Sequence, residues 1–317
     1  MNPPKADRSH HETASKFGAV TAVIVALALT GCAVDSSPAG SVSGTAASSA
    51  APQAFNQALH DALPEKIKTA KKIVAVNNGS FPPYTIVGAN GAMDGATADI
   101  SHAMGELLGV EIEHVTVDGL ASVLGGMAAN RYDMDLGPVG DFKERQKQGT
   151  FVDWVQEFVV FAVRKGNPAG ISDLESTCGK KVAVMASGSA EKVIKGHSEK
   201  CVAAGKPAVE VQSYKDQPTA ILSVQSSRAD AFFSSQAPLT YFVEQANGAL
   251  ELTGTGQKNG FDDLFQGAVV PKDSPMADVL LKAFNILYEN GTYEKIMKEH
   301  KLEGNMIDEP GLNLGVS

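Results

Sequence analysis

Two stretches of the chain follow one plan. Residues 118–133, Asp118-Gly-Leu-Ala-Ser-Val-Leu-Gly-Gly-Met-Ala-Ala-Asn-Arg131-Tyr-Asp133, parallel residues 216–230, Asp216-Gln-Pro-Thr-Ala-Ile-Leu-Ser-Val-Gln-Ser-Ser-Arg228-Ala-Asp230. Each reads as a helix feeding a strand through an Arg-x-Asp turn, and such internal repetition points to two similar lobes. Around them, β-like runs alternate with helical patterns, which predicts α/β lobes with largely parallel sheets. Strands are expected at Lys72–Val76, Val110–Val117 and Tyr132–Leu136, with helices at Ala98–Leu108 and Gly119–Asn130. The second half predicts strands at Val182–Met185, Val209–Tyr214 and Ala231–Phe233, with helices at Ser189–Ala204 and Pro218–Arg228. Any βα unit looks like this, so the joining segments carry the argument further. Phe158–Arg164 and Gly267–Lys272 are extended apolar runs that can cross between lobes twice. Ser274 as N-cap and Pro275 in the first turn then start a helix with Leu280, Ala283, Phe284, Leu287 and Tyr288 on one apolar face, stopping at Asn290-Gly291. A further helix, Tyr293–His300, returns the chain to the first lobe. Two lobes joined by a two-strand hinge enclose a cleft, the usual seat of a small ligand.

The N-terminus sets the compartment. Lys5, Arg8 and Lys16 precede an apolar run, Ala19–Leu29, too short for a bilayer core of about 30 Å but suited to a signal peptide. It ends at Leu29-Thr30-Gly31-Cys32, which resembles the bacterial lipobox, so Cys32 is expected to become a lipid-modified first residue. Residues 1–31 are then the signal peptide. Residues 32–54, rich in Ser, Ala, Gly and Pro, form a flexible tether that cannot bury enough apolar surface to fold.

Charge and cysteines exclude several classes. The 27 Lys and Arg stand against 36 Asp and Glu, a net charge of −9, and there is no basic stripe to hold a phosphate backbone. Nucleic acid is not an expected partner. The 3 cysteines include no C-x-x-C pair, and no histidine spacing beside them suggests zinc, so no metal or cofactor is expected. On an oxidising face Cys178 and Cys201 are an even pair available for a disulfide. No H-E-x-x-H, G-x-S-x-G, P-loop or dinucleotide fingerprint occurs.

Several segments in order carry a resemblance. They are Phe81-Pro-Pro-Tyr84, Met93-Asp-Gly-Ala-Thr-Ala-Asp99, Lys143-Glu-Arg145 with Thr150-Phe-Val-Asp153, and Gly179-Lys-Lys-Val-Ala-Val184. Arg228-Ala-Asp-Ala231, Gly267-Ala-Val-Val-Pro-Lys272 and Asn290-Gly-Thr-Tyr-Glu-Lys-Ile296 complete the set. From about Lys71 to Leu302 the chain resembles the bacterial extracellular solute-binding proteins of family 3, which serve ABC importers of polar amino acids. The resemblance implies a two-lobed, type II periplasmic-binding-protein-like clamshell. Lobe 1 is expected over residues 55–164 with 268–305, lobe 2 over 165–267, and a C-terminal tail over 306–317. It also implies a monomer tethered through its lipid outside the bacterial cell membrane, which hands a small polar solute to a permease and its ATPase.

The same resemblance implies the site. Arg145 matches the arginine that holds a ligand carboxylate, a task suited to a planar fork of donors. Phe81 matches the aromatic residue that packs on the ligand, whereas Tyr84 is expected in the core. Ser189 matches the second-lobe hydroxyl at a helix N-terminus, where an anion is welcome; its plainer role is an N-cap. Met185, ending the strand before it, joins the expected ligand set. The departures bear on what is bound. Gly140 stands where a hydroxyl residue is usual, and Ala96-Thr97 replace a larger residue and an Asp. Ser235 stands where an Asp usually meets the ligand's ammonium. A buried ammonium left unpaired costs several kcal/mol. The ligand is therefore expected to lack an α-ammonium or to present it to another acid such as Asp141. Two other readings share the fold: an exported dehydratase-like enzyme using Asp99, Asp141 or Glu144, and a ligand sensor.

Overall fold

The computed structural model describes residues 52–316, so the signal peptide, Cys32 and tether residues 32–51 lie outside the described residues. Gln53 is already anchored, its N–H donating to Glu106 Oε2 (2.7 Å), so the folded part starts slightly before residue 55. The first half runs α1 (Gln57–Ala62), α2 (Glu65–Ala70), β1 (Lys72–Asn77), β2 (Ile86–Val87), β3 (Met93–Asp94), α3 (Ala96–Leu108) and β4 (Glu111–Thr116). It continues through α4 (Leu120–Ala128), β5 (Asp135–Gly140), α5 (Lys143–Gln146) and β6 (Gly149–Glu157). Next come β7 (Val159–Arg164), β8 (Lys181–Met185), α6 (Ser189–Ala203), β9 (Glu210–Tyr214), α7 (Gln217–Gln225), β10 (Ala231–Ser235), α8 (Gln236–Gln245) and β11 (Leu250–Thr253). The chain closes with β12 (Leu264–Pro271), α9 (Met276–Glu289), α10 (Thr292–Glu299) and β13 (Met306–Leu312).

Both lobes are built alike. In the first, β1 pairs with β4 in parallel and meets the start of β5 through the Ala75–Met134 bridge, and the sheet continues β5-β12-β6-β13. In the second the order is β9-β8-β10-β7-β11, with β8 parallel to both β9 and β10. In each lobe three crossover-linked strands are followed by an antiparallel strand delivered from the other lobe: β12 in the first, β7 in the second. The fold is thus the expected two-lobed α/β clamshell. Parallel strands covered on both faces are largely apolar, and Phe232 and Phe233 of β10 are both buried.

Three boundaries differ from the sequence reading. β7 leaves the first lobe at Phe158 and pairs with β10 and β11, so residues 159–164 belong to the second sheet. All of β12 from Leu264 onward pairs with β5 and β6 of the first. Residues 306–312 are no tail, because β6 offers a free edge on which β13 pairs in an irregular register that accommodates Pro310.

The first-lobe core centres on Trp154, the only tryptophan. It is fully buried, stacks on Phe284 and meets the edges of Tyr84 and Tyr293. Its Nε1–H donates to Leu136 O (3.1 Å), so the polar handle is satisfied; burying such a ring stabilises by about 5 kcal/mol. In the second lobe Cys178 and Cys201 are joined, with Cα atoms 5.7 Å apart, tying the segment before β8 to α6. Closing that 23-residue separation contributes about 3 kcal/mol by restricting the unfolded chain. His197 lies beside the bridge, but both thiols are spent on the disulfide rather than left as metal ligands.

Candidate functional site

A cavity lies where β1 and β5 of the first lobe face α6, α7 and β10 of the second, at the carboxyl ends of β1, β8 and β10. Ligands of open α/β sheets bind at such strand ends. The space between its walls, counted out through the open mouth, is about 710 Å³. Of the residues expected from sequence, Phe81, Gly140, Arg145, Met185, Ser189 and Ser235 line it.

Arg145 is positioned by a tight turn. β5 ends at Gly140, and the single turn of α5 closes with Arg145 N–H on Phe142 O (2.8 Å). The guanidinium then folds back so that Nη1 donates to Gly140 O (2.8 Å), while Nη2 reaches across the cleft to Ser187 O (3.1 Å). It lies over the Phe142 ring, 5.1 Å from its centre. Burial pushes Arg145 down to about 10, against the opposing pull of Asp141, so it stays cationic at neutral pH. A Cβ at Gly140 would come within 2.7 Å of the Phe142 ring and 3.1 Å of Arg145 Nη1, so a larger residue there requires the ring to shift.

From the second lobe, Gly188 and Ser189 open α6, and with Ala190 they line the cavity beside the Arg145–Ser187 contact, at the helix end that carries the positive dipole. Phe81 stacks on Tyr84 at 5.8 Å, and Tyr84 is fully buried as expected, its hydroxyl donating to Glu157 (2.6 Å). Thr97 turns inward and donates to Gly137 O (2.9 Å). Gln217 donates to Ser234 Oγ (3.0 Å) on the second-lobe side.

Asp141 does not line the cavity. It is 1% exposed; its Oδ1 accepts from Gln146 Nε2 (2.8 Å) and its Oδ2 from the Gly315 N–H (2.7 Å). Beside it Asp153 accepts from the Leu314 N–H (2.9 Å), and burial together with Asp141 pushes Asp153 up to about 8. These acids hold the segment after β13; successive residues of an extended strand face opposite ways, so Asp141 points away from the side that Gly140 offers. The other acids considered for catalysis are also elsewhere, Asp99 against His300 (2.8 Å) and Glu144 against Lys147 (3.2 Å).

The carboxylate that does line the cavity is Asp135. It opens β5, is 3% exposed, and accepts the Gly137 N–H on Oδ1 (2.8 Å). Burial pushes it up to about 7. Across from β5, Gln266 also faces the cavity, because β12 shifts register between Gln266 and Gly267. Here β12 is pressed between its neighbours: a Cβ on Gly267 would lie 2.0 Å from Val152 O of β6, and one on Gly137 of β5 would lie 2.2 Å from Gly267 O. Only glycine fits at either position, and Gly137 also has φ +85°.

Residues 73–303 match the family model of bacterial extracellular solute-binding proteins, family 3. The chain belongs to this family. This solute-binding protein is 26% identical over 255 residues to the arginine-binding protein ArgT of Corynebacterium glutamicum, covering 79% of this chain and 81% of that one. It is 25% identical over 223 residues to the L-cystine-binding protein TcyJ of Escherichia coli K12, covering 69% and 77%. Among solved structures, an ancestral arginine-binding protein bound to arginine superposes with a TM-score of 0.64 at 25% identity, covering 73% of this chain and 98% of its own.

In this solute-binding protein the lobes also touch at the rim, where Lys215 of the second reaches Asp118 of the first (3.4 Å). Both partners are well exposed, so the pair adds little beyond orientation. The contact that matters is Arg145 to Ser187, which lies at the cavity itself. No helix among the described residues is long and apolar enough to cross a membrane.

Proposed function

We propose that this protein is the receptor of an ABC importer that captures an amino acid or a similar small carboxylate-bearing solute and delivers it to a permease. The observation that carries this is the Arg145 fork, cationic, facing the cavity and in contact with both lobes. A ligand carboxylate seated on Arg145 also meets the start of α6 and the Ser189 hydroxyl, so one anionic group is bound from both sides. Contacts from both lobes select the closed form, which is how a ligand shifts a hinge equilibrium. Phe81 and Met185 cover the apolar part of the solute. The names of the curated relatives, arginine- and cystine-binding, support the amino-acid class. They are names of binding proteins, and the acids weighed for a dehydratase lie outside the cavity, so the enzymatic alternative is not favoured.

The test is a thermal-shift screen against L-arginine, L-cystine, L-glutamine, opines, betaines, ectoines and small dicarboxylates. A saturable shift, with the ligand recovered unchanged by mass spectrometry, is expected. No shift with any of them sinks the receptor reading, and conversion of the ligand replaces it with an enzymatic one.

Cys32 carries the tether in this proposal, with the protein acting as a lipid-anchored monomer at the outer face of the cell membrane. The chain is expected in the membrane fraction, and a Cys32→Ala chain in the medium. Equal partition of the two would remove the lipid from the account.

A further inference from the structure

We infer that Asp135, supported by Gln266, is the subsite for a protonated amine or guanidinium of the ligand, so that the cavity selects molecules carrying both a carboxylate and a cation. The inference deepens the receptor reading and rests on it.

Among the described residues lining the cavity, Asp135 is the one carboxylate and Arg145 the one cation. Asp135 is 3% exposed, and no basic group acts on it; the hydrogen bond described for it is the single N–H of Gly137. An ionised carboxylate has about four lone-pair positions, and leaving it buried without a counter-charge is unfavourable. A buried acid held at the wall of a binding cavity in this state gains its counter-charge when a cationic ligand arrives.

Gln266 makes the same demand independently. It is 5% exposed, and its Oε1 is buried without a hydrogen-bond partner while its Nε2 faces Ser235 Oγ at 3.5 Å. The amide of this lining residue thus lacks a donor, which a ligand N–H in the cavity can supply. The hydroxyl of Ser235 can accept as well. The cavity therefore combines unsatisfied acceptors with a single guanidinium, a pattern matched by a zwitterion and mismatched by a dicarboxylate. Ser235 carries no charge, and Asp135 supplies one from the opposite lobe.

Calorimetric titration of the full chain with L-arginine, L-glutamine, L-cystine, succinate and 2-oxoglutarate tests this, comparing wild type with Asp135→Asn. Asparagine keeps the acceptor for the Gly137 N–H and nearly the same volume. At least one amine-bearing probe is expected to bind wild type and to lose tenfold or more in affinity in Asp135→Asn. The melting temperature of the unliganded variant is expected to equal or exceed that of wild type, which a merely structural carboxylate would not give. A loss below tenfold overturns the assignment while leaving the receptor reading intact. So does binding confined to succinate or 2-oxoglutarate. Failure of every probe with wild type overturns both. Should Asp135→Asn fail to fold, Asp135→Ser is read by the same thresholds.

Discussion

Replacing Arg145 by alanine is expected to weaken binding of any carboxylate-bearing solute by about 1000-fold, close to 4 kcal/mol. The fork sits in a cavity with no other cation among its described lining residues, so nothing nearby can take over the charge. A ligand carboxylate there would be desolvated and left facing peptide dipoles alone, and losing one partner of such a pair costs far more than a rim contact. Two carbonyls, Gly140 O and Ser187 O, aim the guanidinium. Arg145→Lys should therefore recover only part of the loss, because an ammonium is a point charge that cannot present two parallel donors. Calorimetric titration of wild type and both variants with the solute found in the screen decides the matter. An alanine variant within tenfold of wild type would remove Arg145 from the site.

Unliganded protein should be more stable in mild acid than at slightly alkaline pH. Asp135 and Glu157 are pushed by burial to about 7 and Asp153 to about 8, all well above their unfolded values near 4. For an acid whose folded pKa is raised, the folded state holds its proton over a range where the unfolded state has released it. Stability then falls as pH climbs through that range, here from about 4 to about 8, and the full penalty is present above the folded pKa. Each tenfold difference in proton affinity between the two states is worth about 1.4 kcal/mol, so three such groups outweigh the opposing effect in this range of His114, whose burial lowers its pKa and so disfavours the folded state as pH falls. A melting temperature at least about 5 °C higher at pH 5.5 than at pH 8 is expected. A flat or rising profile toward pH 8 would show that these acids are ionised at little cost. Glu157→Gln should flatten the slope, since glutamine can still accept from the Tyr84 hydroxyl, which Glu157 now does at 2.6 Å.

The parallel between residues 118–133 and 216–230 made the two-lobed plan legible, and both stretches do form a helix followed by a central strand. The start of α9 was legible from Ser274, whose hydroxyl accepts the Met276 N–H, whereas the cap of α7, Asp216 accepting the Thr219 N–H, was not singled out. β13 was not legible, since Asp308, Glu309, Pro310 and Gly311 have turn chemistry and only the free edge of β6 makes that segment a strand. Arg145, which lines the cavity, was singled out through its motif. Asp135 was hidden by its setting: in Met134-Asp-Leu-Gly-Pro-Val139 both faces of the strand are covered, so no alternation marks which side chains reach a cavity. Asp141 attracted attention because it stands close to Arg145 in sequence. β5 ends at Gly140, and α5 then turns the chain between Asp141 and Arg145, which sends the two side chains to different places.

The burial of Trp154 has a spectroscopic consequence. Because the only indole in the chain lies in the first lobe, tryptophan fluorescence excited beyond the tyrosine absorption band is an optical label for that lobe alone. Its emission shifts when the rings of Phe284, Tyr84 and Tyr293 separate and water reaches the indole, and it is blind to melting of the disulfide-bearing lobe. Circular dichroism sees both. Following one heating run with the two signals therefore resolves whether the lobes come apart as one cooperative unit or in succession, with no label added and no residue changed.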